Sequence, residues 1–199
     1  MNLGRIISGL VVGAALISTA SDVQAQNRRP SRVASLGEMG CQSLSNIVGY
    51  KPVNGDVTIG RQIFRAVAYL DGQAWGFLSG RGGISPDHTA GVACRLSAPN
   101  QTPRFRTLTL AFGFADNSEK IDYIRPNAST ELRLSVYKDG NLYGSQSIRP
   151  GDMLRWPIDV RNARSISLEA NCIKGGNSTS YAGNPEVCPV LYFFQDTLQ

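Results

Sequence analysis

A single histidine, His88, and four cysteines, Cys41, Cys94, Cys172 and Cys188, bound the chemistry open to this chain of 199 residues. A Ser-His-Asp arrangement would have to recruit His88, which lies in Pro86-Asp87-His88-Thr89, and no Gly-x-Ser-x-Gly turn accompanies it. A cysteine nucleophile would need the same histidine. None of the cysteines forms the Cys-x-x-Cys pair expected of zinc or thiol-redox sites. Gly80-Arg81-Gly82-Gly83 is not followed by Lys-Ser/Thr, so it does not read as a phosphate loop. Carboxylates such as Asp56, Asp71, Asp152 and Glu169 lie mostly in turn-like contexts, and nothing in their spacing selects two of them as a hydrolytic pair. No catalytic motif stands out, and no cofactor is expected.

Recognition chemistry has better candidates. Tyr181 sits with Asn177 in Gly175-Gly-Asn-Ser-Thr-Ser-Tyr-Ala-Gly183. An aromatic face beside amides can stack on the CH face of a ring and hydrogen-bond its hydroxyls, provided a rigid scaffold presents the loop. Trp75, in Gln73-Ala-Trp-Gly-Phe77, is a second candidate, with burial an equal alternative. Asp116-Asn117-Ser118-Glu119 offers the hard oxygen ligands calcium prefers, so Asp116 and Asn117 are candidates for a structural calcium; an Asx turn is the plainer reading.

The cysteines take their meaning from compartment. Met1 to Arg5 carries one positive charge, Ile6 to Ile17 is an apolar run, and Val23-Gln24-Ala25 suits a signal peptidase, so residues 1–25 read as a secretory signal peptide. The run is shorter than the roughly 20 residues that span a bilayer, and no later stretch is long enough. Export to an oxidising compartment makes two disulfides the expectation. Of three pairings, Cys41–Cys94 with Cys172–Cys188 is favoured, because the second bridge would close a Gly/Asn/Ser loop that is otherwise costly to order. Residues 26–35, with Arg28, Arg29 and Arg32 and no apolar periodicity, read as a flexible basic leader. Export and the lack of aromatics interleaved with basic residues argue against a nucleic-acid partner, despite a net charge of +5.

The remaining residues, 36–199, suit one domain. Charged residues make up 18%, below the roughly 25% of ordinary globular domains, and 21 glycines exceed the usual share of roughly 7%. Alternation is the dominant pattern: Leu108, Leu110 and Phe112; Leu132, Leu134 and Val136; Leu154, Trp156, Ile158 and Val160; Ile166 and Leu168. Each set predicts a strand with one buried face, with Trp156 in the core. Ile63 to Leu70, Ala74 to Leu78 and Gly91 to Leu96 are further β-prone runs, and Asp71-Gly72 and Lys138-Asp-Gly-Asn141 are hairpin turns. Val190 to Phe194 is continuously apolar, as in a central strand covered on both faces. About nine short strands at regular spacing predict an all-β antiparallel sandwich or jelly roll.

Leu108-Thr-Leu-Ala-Phe-Gly-Phe-Ala-Asp116, Leu134-Ser-Val-Tyr-Lys-Asp-Gly140, Trp156-Pro-Ile-Asp-Val-Arg-Asn-Ala-Arg-Ser-Ile-Ser-Leu168 and Phe194-Gln-Asp-Thr-Leu198 follow one another in the order and spacing of a known family. Over residues 105–199 the chain resembles the carbohydrate-binding modules called NPCBM domains, which are galactose-binding-like jelly rolls. The resemblance implies a noncatalytic module that recognises a glycan or another cell-surface polymer, with a surface structural or protein-interaction module as the alternative. It also strengthens the expectation of a structural calcium.

Overall fold

The computed structural model describes residues 33–44, 49–71, 83–86, 89–116, 124–178 and 187–199. The chain opens with β1 (Ala34–Ser35), a 3-10 turn (Leu36–Met39), β2 (Gln42–Ser43), β3 (Gly49–Ile59), β4 (Gln62–Asp71), β5 (Ala90–Arg95) and β6 (Thr107–Phe114). It continues through β7 (Ile124–Arg125), β8 (Glu131–Lys138), β9 (Asn141–Ile148), β10 (Met153–Asp159), β11 (Ser165–Lys174), β12 (Asn177–Ser178) and β13 (Leu191–Leu198). One sheet runs β10-β6-β13-β4-β3, with β1 added against β13; the other runs β2-β5-β11-β8-β9; β12 and β7 form a small ribbon. Every pairing is antiparallel. The architecture is the antiparallel β-sandwich that the alternation predicts.

The predicted inner faces meet in one core. Leu108, Leu110, Phe112 and Phe114 of β6 pack with Leu132, Leu134 and Val136 of β8 and with Ile166, Leu168 and Ala170 of β11, all without solvent exposure. Burying each such side chain stabilises the fold by about 1.5–3 kcal/mol. The β8–β9 hairpin turns through Asp139 and Gly140 at φ 49° and 82°, the left-handed pair that a two-residue turn needs. Trp156 departs from expectation. It faces inward in phase, yet it lies on the edge strand β10, is only partly buried, and packs at a tilt on Tyr143 with ring centroids 6.3 Å apart.

Two features lay outside the period-two reading. Ala34 and Ser35 pair with Leu198 and Thr197, so two residues assigned to the leader belong to the folded body. Their anchor is Asp196. A bulge between Phe193 and Gln195 shifts the phase of β13, so that Asp196 falls opposite Leu110 and is only 5% exposed. Its Oδ2 accepts from the Ser35 hydroxyl at 2.6 Å, the Tyr50 hydroxyl at 2.9 Å and the Gly37 amide at 3.2 Å. Ser35 also caps the 3-10 turn by accepting from the Gly37 amide, and its own amide donates to Glu38.

The β3–β4 hairpin forms a second apolar layer on the outer face of its sheet. Val53, Val57 and Phe194 pack with Ala66, Tyr69, Ala115, Val190 and Tyr192, which covers both faces of the apolar run at β13. At the hairpin tip, Thr58 O accepts from the Asp116 amide at 2.8 Å and the Arg61 amide donates to Asp116 Oδ2 at 3.2 Å. Ile59 then lies over Gly113. A β-carbon at Gly113 would stand 2.5 Å from the Asp152 carbonyl oxygen and 2.9 Å from Ile59 Cδ1.

Gly113→Ala should therefore lower stability by about 1–3 kcal/mol, as overpacking does, read from chemical denaturation; an unchanged midpoint would show that the arm is not seated there. Tyr50 supplies a pH test. Burial first, then the Asp196 charge, pushes its phenol well above the ordinary 10.0. A raised folded-state value makes the contribution complete below pH about 10 and loses it as pH climbs through the folded value. Tyr50→Phe should flatten the fall in Tm above pH about 10, while costing about 1 kcal/mol at neutral pH for the lost hydrogen bond.

Candidate functional site at the loop end

Strand register gathers the candidate segments at one end of the sandwich. Gly49 pairs with Asp71, Leu191 pairs with both Leu70 and Phe114, Ala90 pairs with Ala170, and Lys174 pairs with Glu131. The described residues flanking 45–48, 72–82, 117–123 and 179–186 thus lie together. The disulfide there joins Cys172 of β11 to Cys188, which precedes β13, with Cα atoms 5.4 Å apart. Cys188 bridges Ile84 and Val187 bridges Gly176, so the base of the 175–186 segment is held on both sides. Cys41–Cys94 is also formed, and among the described residues no cysteine is free. The favoured pairing is the one present.

Of the candidate residues, Tyr181, Trp75 and Asn117 lie outside the described residues, as does His88. The sequence reads Asn177 as a loop residue; its backbone instead pairs with Arg125 in the β12–β7 ribbon, which extends from the bridged base. Asp116 is described. Its carboxylate closes the tip of the β3–β4 hairpin, a role invisible to sequence spacing because Arg61 is 55 residues away. Among the described residues, no group of three or more His, Cys, Asp or Glu side chains is placed to hold a metal ion.

Polar groups that sequence reasoning did not single out rim this end. Thr89 Oγ1 donates to Asn171 Oδ1 at 2.6 Å, and Arg149 reaches Glu131 at 3.4 Å. A hydrogen bond from Ser147, assisted by Arg149, holds the Glu131 carboxyl below its usual range, so it stays ionised. Asn127 Oδ1 accepts from Ser129 N, Ser129 Oγ and Thr130 Oγ1 in an Asx turn. In the sequence, Asn127-Ala-Ser129 has the pattern of a glycosylation sequon and reads as a polar, exposed loop. Amides, hydroxyls and one ion pair on a rigid frame suit the recognition of a polar ligand.

The architecture has counterparts among solved structures. The CBM51-2 and INT domains of Clostridium perfringens ZmpB superpose with a TM-score of 0.50 and 11% identity, covering 83% of this chain and 31% of that one. The M60 catalytic domain of the same protein, solved with its CBM51-1 and CBM51-2 domains, gives 0.50 and 11%, covering 83% and 15%. This chain thus spans under a third of each. The fold shared with them is an antiparallel β-sandwich. It is the fold that the NPCBM resemblance implies. The CBM51 module of Clostridium perfringens GH95, solved with methyl-galactose, gives 0.48 and 7% over 84% of this chain and 99% of that one. No family model matches the sequence, and no curated protein matches it. Among the described residues no helix is long and apolar enough to cross a membrane.

Replacing Cys172 and Cys188 together by alanine should lower stability by about 2–5 kcal/mol, as loss of a native bridge does in small secreted domains. Thermal melts under oxidising conditions test this, and a melting point equal to that of the unaltered protein would remove the bridge as the anchor of this end.

Proposed function

We propose that the protein is a secreted, noncatalytic carbohydrate-binding module whose ligand sits at the loop end, with Tyr181 as the stacking platform and Asn177 and Trp75 as its neighbours. The observation that carries the reading is the convergence of register: the strand ends flanking the Trp75 and Tyr181 segments meet at one end of a sandwich whose fold is that of carbohydrate-binding modules. Closing the base of the 175–186 segment with a disulfide lowers the entropy a ligand must overcome on binding. The bridges accord with export, and the apolar run at residues 6–17 supports a signal peptide.

A glycan array probed with residues 26–199 tests the reading directly; silence across neutral and charged glycans would favour a surface structural or protein-interaction module instead. On the best glycan, Tyr181→Ala should weaken binding by roughly 1–3 kcal/mol, on analogy with other aromatic stacking platforms. Stability should stay within about 0.5 kcal/mol, as for an ordinary surface change. A destabilised variant with full affinity would remove Tyr181 from the site.

A further inference from the structure

The opposite end of the sandwich carries a cleft of about 490 Å³ beside the Cys41–Cys94 bridge, lined by Met39, Gly40, Gln42, Arg95, Ser97 and Arg164 among others. Its size is that of a small-molecule site. None of the residues lining it is acidic, and two are arginines. Antiparallel pairing sets Arg95 opposite Ser165, which brings Arg164 and Arg95 to the same wall.

Arg164 is held in place. Its amide donates to Asp139 Oδ1 at 2.9 Å, its carbonyl accepts from the Leu96 amide at 2.8 Å, and its Nη1 donates to the Pro99 carbonyl at 2.9 Å. The same Asp139 oxygen accepts from the Ser165 amide and hydroxyl. One guanidinium donor is thereby committed to the protein and the rest remain for a ligand. Arg95 is exposed, with no side-chain hydrogen bond or ion pair among the described residues. The Ser97 hydroxyl oxygen is shielded from solvent and has no hydrogen-bond partner among the described residues. Buried polar atoms are nearly always hydrogen-bonded, so this hydroxyl leaves hydrogen-bonding capacity unused beside the cleft.

We propose that this cleft binds the oxyanion of an acidic saccharide, a uronate carboxylate or a sugar sulfate, between Arg95 and Arg164. Planar guanidinium groups present paired donors that match carboxylate and sulfate oxygens. Gln42 then takes a neighbouring ring hydroxyl. The choice of a saccharide rests on the carbohydrate-binding reading above; the choice of an anion rests on the cleft itself.

Isothermal titration of residues 26–199 with a galacturonate oligosaccharide, a sulfated galactan oligosaccharide, a neutral galactan oligosaccharide and polyglutamate tests it. One or both acidic saccharides should bind more tightly than the neutral one and weaken as salt rises. Arg95→Gln and Arg164→Gln should each lower that affinity by about tenfold or more, as loss of a charge-assisted hydrogen bond does. Arg65→Gln, an equal charge change on the β3–β4 arm, should not. Arg95→Gln breaks no side-chain hydrogen bond or ion pair among the described residues, so its melting point should match that of the unaltered protein and separate binding from folding. Equal losses with Arg95→Gln and Arg65→Gln, or equal binding of polyglutamate, would overturn the proposal. Neutral binding that depends on Tyr181, with acidic saccharides indifferent to Arg95, would sink the cleft and leave the loop-end reading intact. Acidic binding that depends on Arg95 but not on Tyr181 would support the cleft as a site separate from the loop end.

Discussion

Asp196 is a carboxylate turned into the core of a β-sandwich, and the N-terminal part of the fold is arranged around satisfying it. A carboxylate removed from water is unfavourable unless hydrogen bonds replace its hydration. Here the bulge in β13 turns it inward, and a capping serine, a backbone amide and a tyrosine hydroxyl all converge on one oxygen. These donors come from β1, the 3-10 turn and β3, segments that local propensity alone would leave weakly ordered. The same contact therefore pins the start of the folded body to its last strand. Leu36, fully buried beside it, adds apolar area to the anchor.

Around that anchor the sandwich handles its exposed edges in different ways. The β3–β4 arm folds across the outer face of its sheet, and Gly113 leaves room for Ile59 to lie over it. On the other flank, β9 and β10 are the free edges of the two sheets. A bulge in β9 leaves Tyr143 as an extra residue; its ring packs on Trp156 and its hydroxyl accepts from the Asp159 amide at 3.2 Å, closing the side of the sandwich. Pro157 withholds a donor from the outer strand, which discourages edge-to-edge pairing.

The two ends of the frame differ in chemistry. One is cross-tied by Cys172–Cys188 and rimmed by amides, hydroxyls and the Arg149–Glu131 pair, whereas the other holds a cationic cleft beside Cys41–Cys94. Each disulfide thus stands where a polar surface needs a fixed base. A scaffold of this kind separates stability, which resides in the core strands, from recognition, which resides in the segments they present.

Much of the frame was legible in the sequence. Strict alternation in β6, β8 and β11 is a local code, since a period of two leaves one face to be buried, and the Asp139-Gly140 turn names its own hairpin. The disulfide pairing followed from loop-closure entropy. The candidate site was only partly legible: composition flagged the 175–186 segment, but its bridged base depends on contacts of Ile84 with Cys188 and Gly176 with Val187. Asp116 reads in the sequence as an Asx-turn residue and a candidate calcium ligand because its neighbours are oxygen-rich, and Trp156 reads as core because it is in phase. Spacing could not reveal that Asp116 caps a distant hairpin or that Trp156 lies on an edge strand. The basic cleft was unreadable for the same reason, since residues 39–42, 93–99 and 164–165 meet only after sheet order is set. Periodicity is a property of neighbours along the chain, so it determined which residues are strands and which faces are apolar. Sheet order, the β13 bulge, the inward turn of Asp196 and the pairing of Arg95 with Arg164 depend on contacts between distant segments, which only the packed tertiary structure decided.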